Sequence, residues 1–524
     1  MPIPPGTKQE SIDNGELNLP LMALMIIALA VAAAWYLFQT CVHHDIAWYL
    51  FLGERVLDGA RLYETYIDNN PPFVIYFNLL PVWFAHVFGT SDLFMFYAFV
   101  FAFIFTSLSL CYHIIQSLDV GLSDYYKCML IVITAVLFMI VPLSIFGQRE
   151  HLMMVLTFPY IFSLMGQAEE KPQPPLLQLL TGVMAGIGMA FKPFFFSLWI
   201  LLEGYTFLFT GYIRFFRLQN IAIIVTTLLY GILLISSGYI KILPFLLASY
   251  GGFQMSFQAM IKSCPTILWL ALVPVFIYAY RHTRLPCKIM HILFLTATAY
   301  FFNSFIQRKD WYYHNYPLIA VSVFIVSLLV LHRFDSGGNG ASIAKKIKRM
   351  TVPVVVLAAF LYVFSYKVMR DRENPYLADI APTVKTIRHL AHNKPIYIFT
   401  TNVTIPFRIV NYAEAQWPVR FHCLWPLWTL YKQHLSRNGQ VLFRAPGNMN
   451  AAEHYVFDSV VADLIAQPPA LILEDRSVQP GLSGDYFQFI RYFLQDPRFA
   501  RFFVSYRDIG QVGRFRFYLN TRLE

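Results

Sequence analysis

Residues 20–50 read PLMALMIIALAVAAAWYLFQTCVHHDIAWYL. From Pro20 to Thr40 there is no charged side chain, and a membrane-spanning helix needs about 20 mostly apolar residues in a row. The run ends abruptly on His43-His44-Asp45. Ionisable groups at or just beside membrane depth are costly and tend to mark function. Lys8 ahead of the run is followed by acids, and no convincing cleavage site closes it. It therefore reads as a retained first span and not as a signal peptide.

Outward from this stretch the chain stays apolar. Of its 524 residues 57% are hydrophobic and 13% charged, where a soluble domain carries roughly 25% charged residues. The net charge of +10 is scattered and partly confined to short loops between apolar runs, which excludes a nucleic-acid partner. Cys41, Cys111, Cys128, Cys264, Cys287 and Cys423 show no metal-like spacing and read as small apolar residues.

Span-length runs lie near 20–40, 93–116, 128–146, 152–166, 176–191, 194–211, 218–237, 266–280, 289–306, 316–332 and 351–366. A further run, 73–89, follows Pro71-Pro72 and is interrupted by Asn78, Pro81 and His86. It reads as an amphipathic juxtamembrane helix at the interface. Short basic loops mark the cytoplasmic side. With 73–89 not crossing, Arg214 and Arg217, then Arg281, Arg284 and Lys288, then Lys345, Lys346, Lys348 and Arg349 all fall inside. If it crossed, all three groups would fall outside. About eleven spans are therefore expected.

The expected division is a cytoplasmic tail over 1–19, a polytopic domain over 20–368 with a flexible SGGNG connection at 336–340, and an extracytoplasmic α/β domain over 369–524. In that last region Lys394–Thr401 and Ala470–Leu473 read as short buried strands, and Gly513–Asn520 alternates as an exposed one. Asn450–Gln467 and Asp485–Gln495 carry helical spacing. The extracytoplasmic side also receives 41–92, 147–151, 238–265 and 307–315.

These segments hold the candidate chemistry. Asp45 between His44 and an apolar helix is open to three readings: a helix cap, a general base, or, with His43, His44 and Glu150, a divalent-metal ligand. Gly147-Gln148-Arg149-Glu150-His151 places a second acid between two apolar runs. Lys192 either snorkels to the headgroups or meets a lipid phosphate. The turn Gln307–Pro317 holds Arg308, Lys309, Tyr313 and His314. Its aromatics suit an interfacial belt, and its cations suit a phosphate. Carboxylates and cations on one face are what a polyprenyl-phosphate-linked substrate requires.

With these residues in place the chain resembles the GT-C superfamily of polyprenyl-phosphate-sugar-dependent glycosyltransferases, in particular the protein O-mannosyltransferases and the lipid A aminoarabinose transferase. His44-Asp45-Ile46-Ala47-Trp48-Tyr49, Gly59, Tyr63 and Asn70-Pro71-Pro72-Phe73 are similar to that family's first outer loop. Glu150 occupies the place of its second acid, Lys192-Pro193 that of a middle lysine, and Arg308–Pro317 that of a late cation–aromatic turn. The family's paired acid after the first span is here Ile46, so Asp45 stands alone. The resemblance covers roughly residues 20–330. It implies inverting transfer from a polyprenyl-phosphate sugar, with Asp45 as base and Glu150 as partner acid. Lys192, Arg308 and Lys309 would meet the donor phosphate, and His44, Tyr63, Asn70, Arg149, His151, Tyr313 and His314 would line the substrate site. It fixes no cofactor and leaves open a divalent metal ion at His43, His44, Asp45 and Glu150. The implied partners are the donor lipid, membrane lipids, and a glycan, lipid or protein acceptor. The implied location is a bacterial inner membrane, with the active site on the periplasmic side. A polyprenyl-lipid or glycan flippase is the competing reading, but no inverted repeat or matched pair of broken helices supports it.

Overall fold

The structure, a computed structural model, describes residues 19–118, 120–171, 173–210, 216–250, 254–283, 285–336, 375–431, 443–477 and 487–523. Arg214, Arg284, the cluster Lys345, Lys346, Lys348 and Arg349, the 337–340 connection, the 351–366 run and the 1–18 tail lie outside the described residues.

Every described run is helical. The order is α1 Leu19–Gln39, α2 His44–Leu57, α3 Phe73–Phe88, α4 Asp92–Ser117, α5 Asp124–Met139, α6 Arg149–Ala168 and α7 Pro175–Ala190. It continues with α8 Phe196–Thr210, α9 Leu218–Ser236, α10 Tyr239–Tyr250, α11 Phe257–Ile261, α12 Cys264–His282, α13 Cys287–Gln307 and α14 Tyr312–Ser336. Among the described residues seven helices are long and apolar enough to cross a membrane: α1, α4, α6, α9, α12, α13 and α14. Of the other expected spans, α5, α7 and α8 are shorter than this and 351–366 lies outside the described residues, so the described residues do not establish the count of eleven. The expected span 128–146 ends as a helix at Met139, and Pro142 follows before a short 3-10 turn at Leu143–Ile145. The run 194–211 likewise opens with a 3-10 turn at Pro193–Phe195. The 238–265 stretch, expected only as an outside segment, folds largely into α10 and α11.

Helix α6 is the buried axis of the bundle: every residue from Arg149 to Gly166 is buried. Helix α7 packs closely on it because its sequence supplies small residues. A Cβ on Gly188 would lie 3.0 Å from Leu156 Cβ, and one on Gly182 would lie 2.4 Å from the Gln219 carbonyl of α9. One buried charge in the bundle, Glu203, is fully matched. It accepts from Tyr160 at 2.6 Å and Asn220 at 2.7 Å and pairs with Arg217, as buried ions in apolar surroundings must be. Lys288 reaches the Ala168 carbonyl at 3.3 Å. The described part of the basic α12–α13 turn therefore sits at the end of α6 opposite Glu150. Helix α3, with 16 residues, is about 24 Å long and falls short of the roughly 30 Å hydrocarbon core. It packs against α2 at Gly53, where a Cβ would meet Val82 at 3.2 Å.

The C-terminal domain begins with the helix Pro375–Ala391 and carries a four-stranded sheet ordered β1-β2-β4-β3. Strand β1, Ile396–Phe399, runs parallel to β2, Leu471–Asp475, which is antiparallel to β4, Phe515–Asn520. The strand β3, Tyr506–Val512, forms the exposed edge and was not anticipated. Its polar residues Arg507, Asp508 and Gln511 suit an edge that must not recruit another strand. The expectation that 513–520 is exposed is corrected. β4 lies between β2 and β3 and buries Phe515 and Phe517. The helix Ala451–Ala466 follows its expected bounds closely, whereas 485–495 contributes only the turn Phe489–Phe493 to the described residues.

The domain is seated directly on the first outer loop. Arg408 Nε donates to the Val42 carbonyl at 3.1 Å, Asn411 Nδ2 to that of Ala47 at 3.1 Å, and the Ile67 N–H to that of Arg420 at 2.8 Å. Helix α10 supports it from the side, with Phe245 against Tyr455 at 5.0 Å.

Candidate active site

The first helical turn of α2 decides what Asp45 does. His43, not Asp45, is the cap: its Nδ1 accepts the Asp45 N–H at 3.2 Å. The Asp45 carboxylate is thereby released to face α6. Its Oδ2 accepts from Gln148 Nε2 at 3.1 Å and from Arg149 Nη2 at 3.2 Å, while His44 Nε2 stands 3.4 Å from Oδ1.

The opposing residues are aimed by the turn ahead of α6. Gly147 has φ +79°, and a Cβ there would lie 2.5 Å from the Phe96 ring. Only glycine satisfies both conditions. His151 locks the turn, with Nδ1 accepting from the Gly147 N–H at 2.8 Å and Nε2 2.8 Å from the Phe138 carbonyl. Both ring nitrogens are thus spent on backbone, and His151 acts as a brace behind the site.

Glu150, one residue beyond Arg149, faces the opposite way. Its Oε1 pairs with Lys192 Nζ and lies 3.3 Å from His314 Nδ1, and its Oε2 is buried without a hydrogen-bond partner. Lys192 sits in the break between α7 and α8 and also donates to Gln307 Oε1 at 3.3 Å. Its ammonium stands 5.7 Å from the centre of the Tyr313 ring, within cation–π reach. Lys309 is buried over Trp311, 4.8 Å from the ring centre.

Burial raises the Asp45 pKa, but His44, Arg149, His43 and the Gln148 amide outweigh it and hold the carboxyl well below its usual range. Burial lowers both His43 and His44, which keeps them neutral near pH 7. Lys309 is lowered to about 6, first by burial and then by Lys192 and Arg149.

Asp45, Arg149, Tyr313, His43, His44 and Asn70 line a cavity of about 500 Å³ whose roof comes from the C-terminal domain. A larger cavity of about 760 Å³ on the other face of α2 holds none of the candidate residues. The smaller one is thus where six of the candidate residues meet, whereas Glu150, Lys192, Lys309 and His314 are not in its lining. Tyr63 has φ +64° and fixes the outer loop through its hydroxyl, which donates to the Asn70 carbonyl at 2.7 Å. Arg308 is turned away. It ends α13 in the left-handed region, pairs with Gln254 and lies 5.0 Å from the centre of the Phe257 ring.

His43, His44 and Asp45 offer three possible metal ligands within 4.8 Å of one another. The donor set fits a divalent ion poorly. The guanidinium of Arg149 and the Gln148 amide hold Asp45 Oδ2, His43 Nδ1 accepts a backbone N–H, and Glu150 is directed at Lys192.

Several site residues were not singled out in sequence. Gln148 and Gln307 stood inside quoted motifs but offered no charge to draw attention. Buried Asp68 anchors the Trp48 indole N–H at 2.6 Å. Asn402, Phe407, His422 and Trp428 of the roof carry no local signal, because only the docking of a distant domain brings them here.

No family model matches the chain, and no curated protein matches it. Among solved structures it is similar to ArnT from Cupriavidus metallidurans, in the apo state with a TM-score of 0.58 and bound to undecaprenyl phosphate with a TM-score of 0.54. In both cases identity is 12%, and the match covers 96% of this chain and 98% of the other. At that identity the likeness is one of fold alone, a helical membrane region with a small C-terminal sheet domain.

Proposed function

We propose that this protein is a multi-pass membrane glycosyltransferase that moves a sugar from a polyprenyl phosphate to an acceptor hydroxyl. The observation that carries the reading is the meeting of Asp45 and Arg149 in the lining of one cavity between membrane bundle and C-terminal domain, with Lys192 and Lys309 close enough to Arg149 to act on each other electrostatically. The fold shared with ArnT, seen bound to undecaprenyl phosphate, supports a donor of that class. The basic α12–α13 turn at the opposite end of the bundle supports an extracytoplasmic site in an inner membrane.

In this reading Lys192, Arg149 and Lys309 take the donor phosphate by charge-assisted hydrogen bonds. When Arg149 moves its guanidinium from Asp45 to the phosphate, the Asp45 pKa rises and the carboxylate becomes a better base. The acceptor hydroxyl gives its proton to Asp45 as its oxygen bonds to the anomeric carbon. The bond from that carbon to the phosphate oxygen breaks, and polyprenyl phosphate leaves with the electron pair, its charge held by the three cations. Attack from the side opposite the leaving group inverts the anomeric centre. Glu150 keeps Lys192 in position. Asp45→Asn in the purified full-length protein is expected to lower sugar transfer by about 10²–10⁴-fold while leaving polyprenyl-phosphate binding intact. Unchanged transfer would remove Asp45 as the base, and failure of the wild type to bind polyprenyl phosphate would remove the function.

A further inference from the structure

The two walls of the 500 Å³ cavity differ in chemistry. The membrane side carries the ions, with Asp45 and Arg149 in the lining. Among the described residues, the wall supplied by the C-terminal domain includes Asn402, Thr404, Phe407, His422, Trp425 and Trp428, and no Asp, Glu, Lys or Arg. This is notable in a domain that carries Arg388, Arg408, Arg420 and Arg444, none of which lines the cavity.

An acceptor bearing phosphate or carboxylate would call for cations on this wall. A lipid chain would call for an aliphatic surface, free of amides and hydroxyls whose burial against hydrocarbon is costly. Aromatic faces interleaved with amide, hydroxyl and imidazole groups suit a ligand with apolar C–H faces and uncharged hydroxyl edges. His422 Nδ1 is buried and has no hydrogen-bond partner, so a ligand hydroxyl would satisfy it. The platform is held rigidly. Asp68 fixes the Trp48 indole at 2.6 Å, and the Trp48 ring lies 4.4 Å from Phe407 and 5.3 Å from His422 between centroids. That contact joins α2, which bears Asp45, to the roof.

We infer that the acceptor is a neutral carbohydrate, held on the C-terminal domain's wall of the cavity with Trp428 as a stacking surface and His422 as a hydroxyl partner. The inference rests on the glycosyltransferase reading and adds the acceptor class to it. The donor phosphate lies at Arg149 on the membrane side, and the sugar hydroxyl lies between it and the roof, beside Asp45. The C-terminal domain is in this view the acceptor-selecting half of the enzyme.

The test uses the full-length protein in nanodiscs loaded with undecaprenyl phosphate, with saturation-transfer NMR as the readout. The probes are the tetrasaccharides of mannose, glucose, galactose and arabinofuranose, with phosphorylated mannotetraose and a serine-containing hexapeptide for comparison. At least one neutral tetrasaccharide is expected to receive saturation, weakened about fivefold or more in Trp428→Ala and largely kept in Trp428→Phe. Undecaprenyl phosphate binding, followed in the same samples, should not change in either variant. Three results overturn the inference while leaving the proposed function standing: undecaprenyl phosphate bound but no neutral sugar saturated, equal saturation in wild type and Trp428→Ala, or stronger saturation of the phosphorylated or peptide probe. Equal loss in Trp428→Ala and Trp428→Phe also overturns the stacking role. Failure of undecaprenyl phosphate to bind the wild type would instead overturn the proposed function itself.

Discussion

Asp45 is one carboxylate among two neutral imidazoles, an amide and a guanidinium, and these neighbours hold its pKa below the usual carboxylate range. The lowered Lys309 gives the site a second titratable element. Its pKa of about 6 leaves it mostly neutral at pH 7, and a phosphate bound beside it would raise that value. Below about pH 6 the lysine is charged both with and without ligand, so binding is strongest and flat. Above that point binding takes up a proton, and affinity falls as pH rises until the ligand-bound pKa is passed. Titrating polyprenyl-phosphate binding between pH 5 and pH 9 should show this fall in the wild type. Lys309→Met should lose that component and retain only the headgroup's own ionisation near 6. Identical pH profiles would exclude Lys309 from the phosphate site. Lys192→Met should lower transfer by about 10²–10³-fold, as loss of a preorganised charge does, and should leave Glu150 buried without its cation. A transfer assay beside a thermal melt separates the catalytic loss from the structural one.

At the scale of elements, the active residues sit where helices stop. The α5–α6 turn, the α7–α8 break and the α13–α14 turn are all short interruptions between apolar helices, and their ions Arg149, Glu150, Lys192 and Lys309 form one electrostatic cluster, of which Arg149 lines the cavity. The α5–α6 turn depends on Gly147, whose left-handed backbone and contact with Phe96 leave no space for a methyl group. Gly147→Ala is expected to destabilise the protein by roughly 2–3 kcal/mol and to reduce transfer by displacing Arg149 and Glu150 together. A melting temperature and a turnover rate both equal to wild type would refute that account. The interruptions were visible in sequence as polar residues set between apolar runs, so the candidate ions Asp45, Arg149, Glu150, Lys192 and Lys309 were legible. The directions of their side chains were not. Glu150 and Arg149 are adjacent in sequence, yet one turns to Lys192 and the other to Asp45, because neighbours on a helix point about 100° apart. Arg308, beside Lys309, is carried away from the cavity by the left-handed cap of α13.

The whole molecule is two parts that share one cavity. Hydrogen bonds from Arg408, Asn411 and Ile67, joined by those of the Val42 N–H to Tyr412 and of the Tyr66 hydroxyl to the Trp417 carbonyl, hold the C-terminal domain on the Asp45 loop. Arg408→Ala combined with Asn411→Ala is expected to weaken transfer severalfold more than it weakens polyprenyl-phosphate binding, since the proposed donor site lies chiefly on the membrane side. Equal losses in both assays would show that the roof also shapes the donor site. What the sequence determined by itself was the class of the molecule. Long apolar runs leave the backbone no option but helices in lipid, and the change of composition after the last run announces a separate domain. What only the tertiary structure decided was the pairing of Asp45 with Arg149, the retreat of Arg308 and His151 from the site, and the aromatic roof, uncharged among the described residues. Apolar periodicity is a local property that any segment displays alone. The roof depends on contacts between residues more than 350 positions apart, and nothing in either segment signals the other until both have folded.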